Sequence, residues 1–158
     1  MPVVGHYFIS YRAEGISCGT LGSLAGDSNE LPVDCVAMAT IFIIDDEAIL
    51  HRLYKDVFAI KGHQVVADAF DGEEAVEKYA KMNPKPDVII LDHRMPNKDG
   101  LQAMHDILSL EPNARIVFIS ADANVREQAI KAGARSFGLK PVTIRHMLDL
   151  VEIAATSE

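Results

Sequence analysis

Cysteine and clustered positive charge are both scarce in this chain. Cys18 and Cys35 are its two cysteines, they lack CxxC spacing, and both fall in the N-terminal stretch. That pattern offers neither a disulfide framework nor a zinc site, and it suits a reducing cytoplasm. The formal net charge is −8, and no run rich in lysine or arginine occurs. Binding to a nucleic-acid backbone needs clustered cations, so nucleic acid is not an expected partner. Long apolar runs are missing too. A stretch such as Val88, Ile89, Ile90 and Leu91 is strand-sized, far short of the ~20 residues a membrane-spanning helix requires. The N-terminus also lacks a basic start followed by an apolar segment, which argues against a signal peptide. What is present is ordinary for a globular domain: 158 residues, 49% hydrophobic and 24% charged, enough for one core.

The chain changes character near Ala39. Before it, Gly15, Ser17, Gly19, Gly22, Ser23, Gly26 and Ser28 punctuate the sequence and no helical period persists. Residues 1–39 are therefore expected to form a poorly packed extension, vestigial if the protein starts at Met38. Residues 40–158 are expected to form the domain. From Thr40 onward an apolar run followed by a helical period repeats about five times, the pattern of an α/β protein with a parallel sheet and helices on its faces. The expected strands are Thr40–Ile44, Gln64–Ala69, 87–91, 115–119 and 135–139. Ile49, Leu50, Leu53, Tyr54, Val57 and Phe58 give the first helix an apolar face, and Gly62 stops it. Asp71 caps the second helix. Leu101, Met104, Ile107 and Leu108 line the third, over Gly100–Leu110. The fourth spans 125–132 and closes at Gly133. In the last, Ile144, Met147, Leu148 and Val151 form the apolar face.

In an open parallel α/β sheet, ligands bind outside the carboxyl ends of the strands where the strand order reverses. Here the first strand ends in Asp45 and Asp46, the third in Asp92, the fourth in Ser120 and the fifth in Lys140. Singly, each has a plain structural use: an aspartate in a turn, a serine as a helix cap, a lysine in solvent. Together they fall at matching topological positions with complementary chemistry. Three carboxylates in one crevice repel one another unless a cation neutralises them. Mg²⁺, which favours hard oxygen ligands, is the natural occupant. One carboxylate could then attack phosphorus, with Lys140 stabilising the charge that develops on the phosphoryl oxygens and Ser120 hydrogen-bonding the product.

The segments Ile43-Ile44-Asp45-Asp46-Glu47, Leu91-Asp92-His93-Arg94-Met95-Pro96-Asn97-Lys98-Asp99-Gly100, Phe118-Ile119-Ser120-Ala121 and Leu139-Lys140-Pro141 occur in the order and spacing of a known family. From Thr40 to its end the chain resembles the response-regulator receiver family, the CheY-like superfamily of two-component phosphorelays. The resemblance implies a flavodoxin-like doubly wound (βα)5 sandwich with parallel strand order 2-1-3-4-5. It implies Asp92 as phosphoacceptor and Lys140 as the catalytic cation. Ser120 would be the hydroxyl switch residue and Phe137 the aromatic one, turning inward on phosphorylation. Mg²⁺ would be held by Asp46, Asp92 and the backbone carbonyl of Arg94, with Asp45 a ligand directly or through water. A sensor histidine kinase or histidine phosphotransfer protein would supply the phosphoryl group, and a downstream protein target would read the switch. Arg94 and Asp122, two places after the acceptor and the hydroxyl, would flank the path of the hydrolytic water.

His93 is expected to be a surface loop residue, and His51 and His146, on helices without metal-ligand spacing, solvated or packing residues. A phosphatase of the haloacid-dehalogenase type would need a second aspartate two positions after Asp92 as its acid/base. Arg94 stands there, which rejects that reading. A receiver-like interaction module that no longer takes phosphate is disfavoured by the full set of acceptor, metal and cation residues. Too few residues follow the last helix for a DNA-binding output domain, so the expected role is a phosphoacceptor switch acting through protein contacts.

Overall fold

The computed structural model describes residues 38–156. The expectations for the N-terminal extension, with Cys18 and Cys35, lie outside the described residues, apart from Met38 and Ala39. Ala39 is buried, and its N–H donates to His63 Nδ1 at 3.2 Å.

Among the described residues five strands and five α-helices alternate: β1 Thr40–Ile44, α1 Ala48–Ile60, β2 Gln64–Ala69, α2 Gly72–Lys81, β3 Val88–Asp92, α3 Gly100–Leu110, β4 Ile116–Ser120, α4 Arg126–Ala132, β5 Ser136–Leu139 and α5 Ile144–Thr156. The strands form one parallel sheet in the order β2-β1-β3-β4-β5. The order reverses between β1 and β3, which opens a crevice at their carboxyl ends.

The sheet is covered on both faces because its inner strands are apolar on both. Phe42, Ile44, Ile89, Leu91, Ile116 and Phe118 point to one side, where they meet Ala75 and Tyr79 of α2, Ala103, Met104 and Ile107 of α3, and Ala129 of α4. Ile41, Ile43, Val88, Ile90, Val117 and Ile119 point to the other, against Tyr54 and Phe58 of α1 and Met147, Leu150 and Val151 of α5. This is the alternation of a strand buried twice, and each such side chain contributes about 1.5–3 kcal/mol on leaving water.

Local chemistry sets the helix ends. Asp71 caps α2, its Oδ1 accepting from the N–H groups of Glu73 and Glu74 at 2.9 Å each. Glu74 in turn accepts from the Phe70 N–H at 2.8 Å. Asp99 caps α3 through the Gln102 N–H. Gly133 ends α4 at φ +117°, the left-handed conformation that glycine adopts without penalty.

Several boundaries and faces differ from the sequence reading. β3, β4 and β5 each begin one residue later than expected, and β3 and β4 extend through Asp92 and Ser120. A short 3₁₀ turn at Ala123–Val125, capped by Asp122, takes up the start of the expected fourth helix. Tyr54 and Phe58 of α1 face inward as expected, but Ile49 and Leu53 are exposed and His51 joins the buried face instead. The ring of His51 is accommodated there because Nε2 donates to the Asp45 carbonyl at 2.7 Å and the ring stacks on Phe70 at 4.5 Å. In α5 the inward stripe is Met147, Leu150, Val151 and Ala154, and Ile144 is exposed.

Candidate functional site

The parallel topology delivers the polar strand ends to one edge. Asp45 follows β1 directly, its N–H donating to the Ala69 carbonyl at 3.1 Å and its Oδ1 accepting from the Glu47 N–H at 2.8 Å. Asp92 is the last residue of β3, in register with Ile119 of β4. Ser120 ends β4, and its carbonyl accepts from the Lys140 N–H at 2.8 Å, which ties the two neighbouring strand ends together. Asp45, Asp92 and Ser120 are buried, at 4%, 3% and 1% exposure, whereas Asp46 is exposed.

Asp45, Asp46 and Asp92 each offer a carboxylate oxygen, and these atoms lie within 4.8 Å of one another. The Lys140 ammonium sits beside them, 2.8 Å from Asp92 Oδ1, 3.5 Å from Asp45 Oδ2 and 3.9 Å from Glu47 Oε1. Burial pushes the Asp92 carboxyl above its ordinary pKa, against the hydrogen bond and charge of Lys140. Burial likewise raises Asp45, with Asp92 adding repulsion. Burial works against the charge of Lys140, but the Asp92 hydrogen bond and surrounding carboxylates outweigh it and hold its pKa above the usual lysine value. One ammonium thus faces several carboxylates, and the remaining negative charge suits a small hard cation. The oxygen-only donor set and its spacing fit Mg²⁺.

Each of the other residues singled out has a definite place. Arg94 lies in the loop after β3 with its side chain largely exposed, Nη2 4.0 Å from Asp122 Oδ2. Phe137 is already inward: it is buried, stacks against Phe118 at 6.3 Å, and has the Arg126 guanidinium 5.9 Å from its ring centre. The core beside Phe118 holds the ring in this position. His146 is exposed. His93 is not a simple surface loop residue. It is half-buried, its ring centre lies 5.6 Å from that of Phe118, and Nδ1 is 2.9 Å from Ser120 Oγ. Sequence reasoning missed this contact and the hold of His51 on the Asp45 carbonyl. For His51 a signal existed, since it shares the helical spacing of Tyr54 and Phe58.

An acidic cluster with an adjacent lysine, at the switch point of a 2-1-3-4-5 parallel sheet, defines a class of small flavodoxin-like α/β domain with a candidate cation site at its strand ends. The comparisons with known proteins place the chain within that class. The family profile of the response regulator receiver domain matches residues 41–152. The chemotaxis protein CheY of Thermotoga maritima is 41% identical over 104 residues, covering 64% of this chain and 84% of that protein. CheY of Listeria monocytogenes is 36% identical over 120 residues, 75% of this chain and 99% of that protein. Among solved structures, the CheX–CheY–BeF3–Mg complex of Borrelia burgdorferi superposes with a TM-score of 0.68 at 31% identity, over 72% of this chain and 86% of that one. The chain belongs to the response regulator receiver family and is CheY-like, a component of two-component signalling. Among the described residues no helix is long and apolar enough to cross a membrane.

Proposed function

We propose that this protein is a phosphoacceptor switch that takes a phosphoryl group on Asp92 and passes the signal on by changing its protein contacts. The observation that carries this reading is the buried Asp92 carboxylate, held 2.8 Å from Lys140 Nζ, with carboxylate oxygens of Asp45, Asp46 and Asp92 within 4.8 Å of one another. A carboxylate oxygen of Asp92 forms a new P–O bond as the P–N bond of a donor phosphohistidine breaks. The electron pair of that bond stays on the imidazole nitrogen, which takes up a proton.

Asp45, Asp46, Asp92 and the backbone carbonyl of Arg94 would hold Mg²⁺. The ion, when bound, supplies positive charge between the carboxylates and against the phosphoryl oxygens. The Lys140 ammonium stabilises the charge spread over those oxygens in the loose transition state. The Ser120 hydroxyl then donates to a phosphoryl oxygen, drawing the end of β4 toward Asp92. Phe137 lies beside Phe118 in the same core, so a shift of β4 reaches the α4–β5–α5 face. That bias can be no larger than the difference in contact energy between the two states. The similarity to a CheY crystallised with BeF3 and Mg supports the same chemistry here.

A sensor histidine kinase or histidine phosphotransfer protein supplies the phosphoryl group, and a protein target reads the switched face in the cytoplasm. The domain doing this is residues 40–158. It catalyses only its own phosphorylation and dephosphorylation. Incubation with Mg²⁺ and acetyl phosphate or phosphoramidate tests the reading: one phosphoryl group should appear as a single mass shift, and a chelator should abolish it. An undiminished shift without divalent metal would count against the metal site.

A further inference from the structure

Ser120 Oγ makes two hydrogen bonds among the described residues. The Asp122 N–H donates to it at 3.0 Å, and His93 Nδ1 lies 2.9 Å away. A serine hydroxyl has one proton to give. The backbone N–H can only donate, so at that contact Oγ is the acceptor. The hydroxyl is 1% exposed, and a buried hydroxyl directs its proton to an acceptor where one is present. Among the described residues Nδ1 is the partner that can take it, with the imidazole proton then on Nε2.

The imidazole is held where it is. The His93 N–H donates to the Ile119 carbonyl and its carbonyl accepts from the Gly100 N–H, both at 2.8 Å. The ring leans on Phe118 with centres 5.6 Å apart. The position of the ring is thus built from the end of β3, the start of α3 and the core side of β4.

We infer that His93 is a positioning residue that holds the Ser120 hydroxyl proton in the unphosphorylated protein and competes with the phosphoryl group for it. The inference rests on the reading that Asp92 is phosphorylated and Ser120 bonds the product. Phosphorylation must then exchange the Ser120–His93 bond for a Ser120–phosphoryl bond, and the phosphorylated state is stabilised by the difference between the two. His93 sets how much phosphorylation shifts the switch, without touching phosphorus or metal.

The test uses the full chain with Mg²⁺ and beryllium fluoride as the phosphoryl probe. His93→Phe keeps an aromatic ring for Phe118 and removes the acceptor. It should bind beryllium fluoride about three- to tenfold more tightly than wild type, the factor that one net hydrogen bond represents. His93→Asn, whose amide oxygen can stand near the place of Nδ1, should return the affinity toward wild type. A merely structural role would weaken binding in both variants. Imidazole ¹⁵N resonances give an independent signature. Without any ligand, Ser120→Ala should shift the His93 Nδ1 resonance toward that of an unbonded nitrogen, and beryllium fluoride should do the same in wild type. Unchanged or weaker binding in His93→Phe, or an Nδ1 resonance indifferent to Ser120→Ala, overturns the inference. Failure of wild type to take up beryllium fluoride instead contradicts the Asp92 reading. The Ser120→Ala shift then decides the hydroxyl contact by itself.

Discussion

Replacing Gly100 by alanine presses a single methyl group against the backbone that carries Asp92. A Cβ at residue 100 would sit 2.2 Å from the Asp92 carbonyl oxygen, 2.9 Å from His93 Cα and 3.0 Å from the Asp92 carbonyl carbon. All three are main-chain atoms, so no side chain can swing aside. Restoring ordinary contact requires a displacement of roughly 1 Å, and the Gly100 N–H is meanwhile bonded to the His93 carbonyl at 2.8 Å. Overpacking of this kind costs about 1–3 kcal/mol. Alanine's better helix propensity, at most about 1 kcal/mol in a helix interior, offsets little of it at the first residue of α3. The net loss should lower the melting temperature by about 5–15 °C for a domain of this size, and urea unfolding should show the same loss. Gly62→Ala is the control. It has no neighbour within 4 Å but sits at φ +82°, so it bears only a left-handed strain of about 1–2 kcal/mol. Phosphoryl uptake should fall in Gly100→Ala and not in Gly62→Ala, because only the former moves the acceptor. A Gly100→Ala protein as stable as wild type, with normal uptake, would refute the steric argument.

Asp71→Ala removes the cap that accepts from Glu73 and Glu74 and should cost about 1 kcal/mol by urea denaturation. The hydrogen bond from Lys55 holds Asp68 below its ordinary pKa of 3.8 against the opposing effect of burial. The folded state therefore binds fewer protons there than the unfolded chain, so this stabilisation is present above about pH 4 and lost as pH falls through the folded value. Asp68→Asn should flatten that acid limb of the stability curve, by at most about 1 kcal/mol since the Lys55 ammonium is half exposed; an unchanged limb would contradict the pairing. Arg94→Ala should speed loss of the phosphoryl group by up to about fivefold without altering its formation, and Asp122→Ala should do so less. An exposed pair at 4.0 Å can supply no more than that, and slower decay in Arg94→Ala would speak against shielding.

The strands were legible because apolar runs such as Ile41 to Ile44, bounded by polar residues, have few other uses in a chain of this size. The strand-end residues were legible for the same reason: a parallel sheet sends every carboxyl end to one edge, so Asp45, Asp92, Ser120 and Lys140 had to meet. Helix faces were harder. Hydrophobicity alone put Ile49 and Leu53 inward in α1, whereas the buried stripe runs through His51, whose polarity is met by the Asp45 carbonyl and whose ring is met by Phe70. The inward position of Phe137 depends on Phe118 and Arg126, neither near it in sequence. The His93 contact depends on side-chain torsions and on backbone bonds to Ile119 and Gly100, which no spacing rule encodes.

The most direct test of the central claim locates the phosphoryl group chemically. Borohydride reduces an aspartyl phosphate to homoserine, so treating the phosphorylated protein and sequencing its peptides by mass spectrometry identifies the acceptor residue. Homoserine should appear at position 92 after incubation with Mg²⁺ and acetyl phosphate, and at no position in Asp92→Asn or in wild type treated with a chelator. Homoserine at position 45 or 46 instead, or an unmodified position 92 in fully phosphorylated protein, would contradict the assignment of Asp92 as the acceptor.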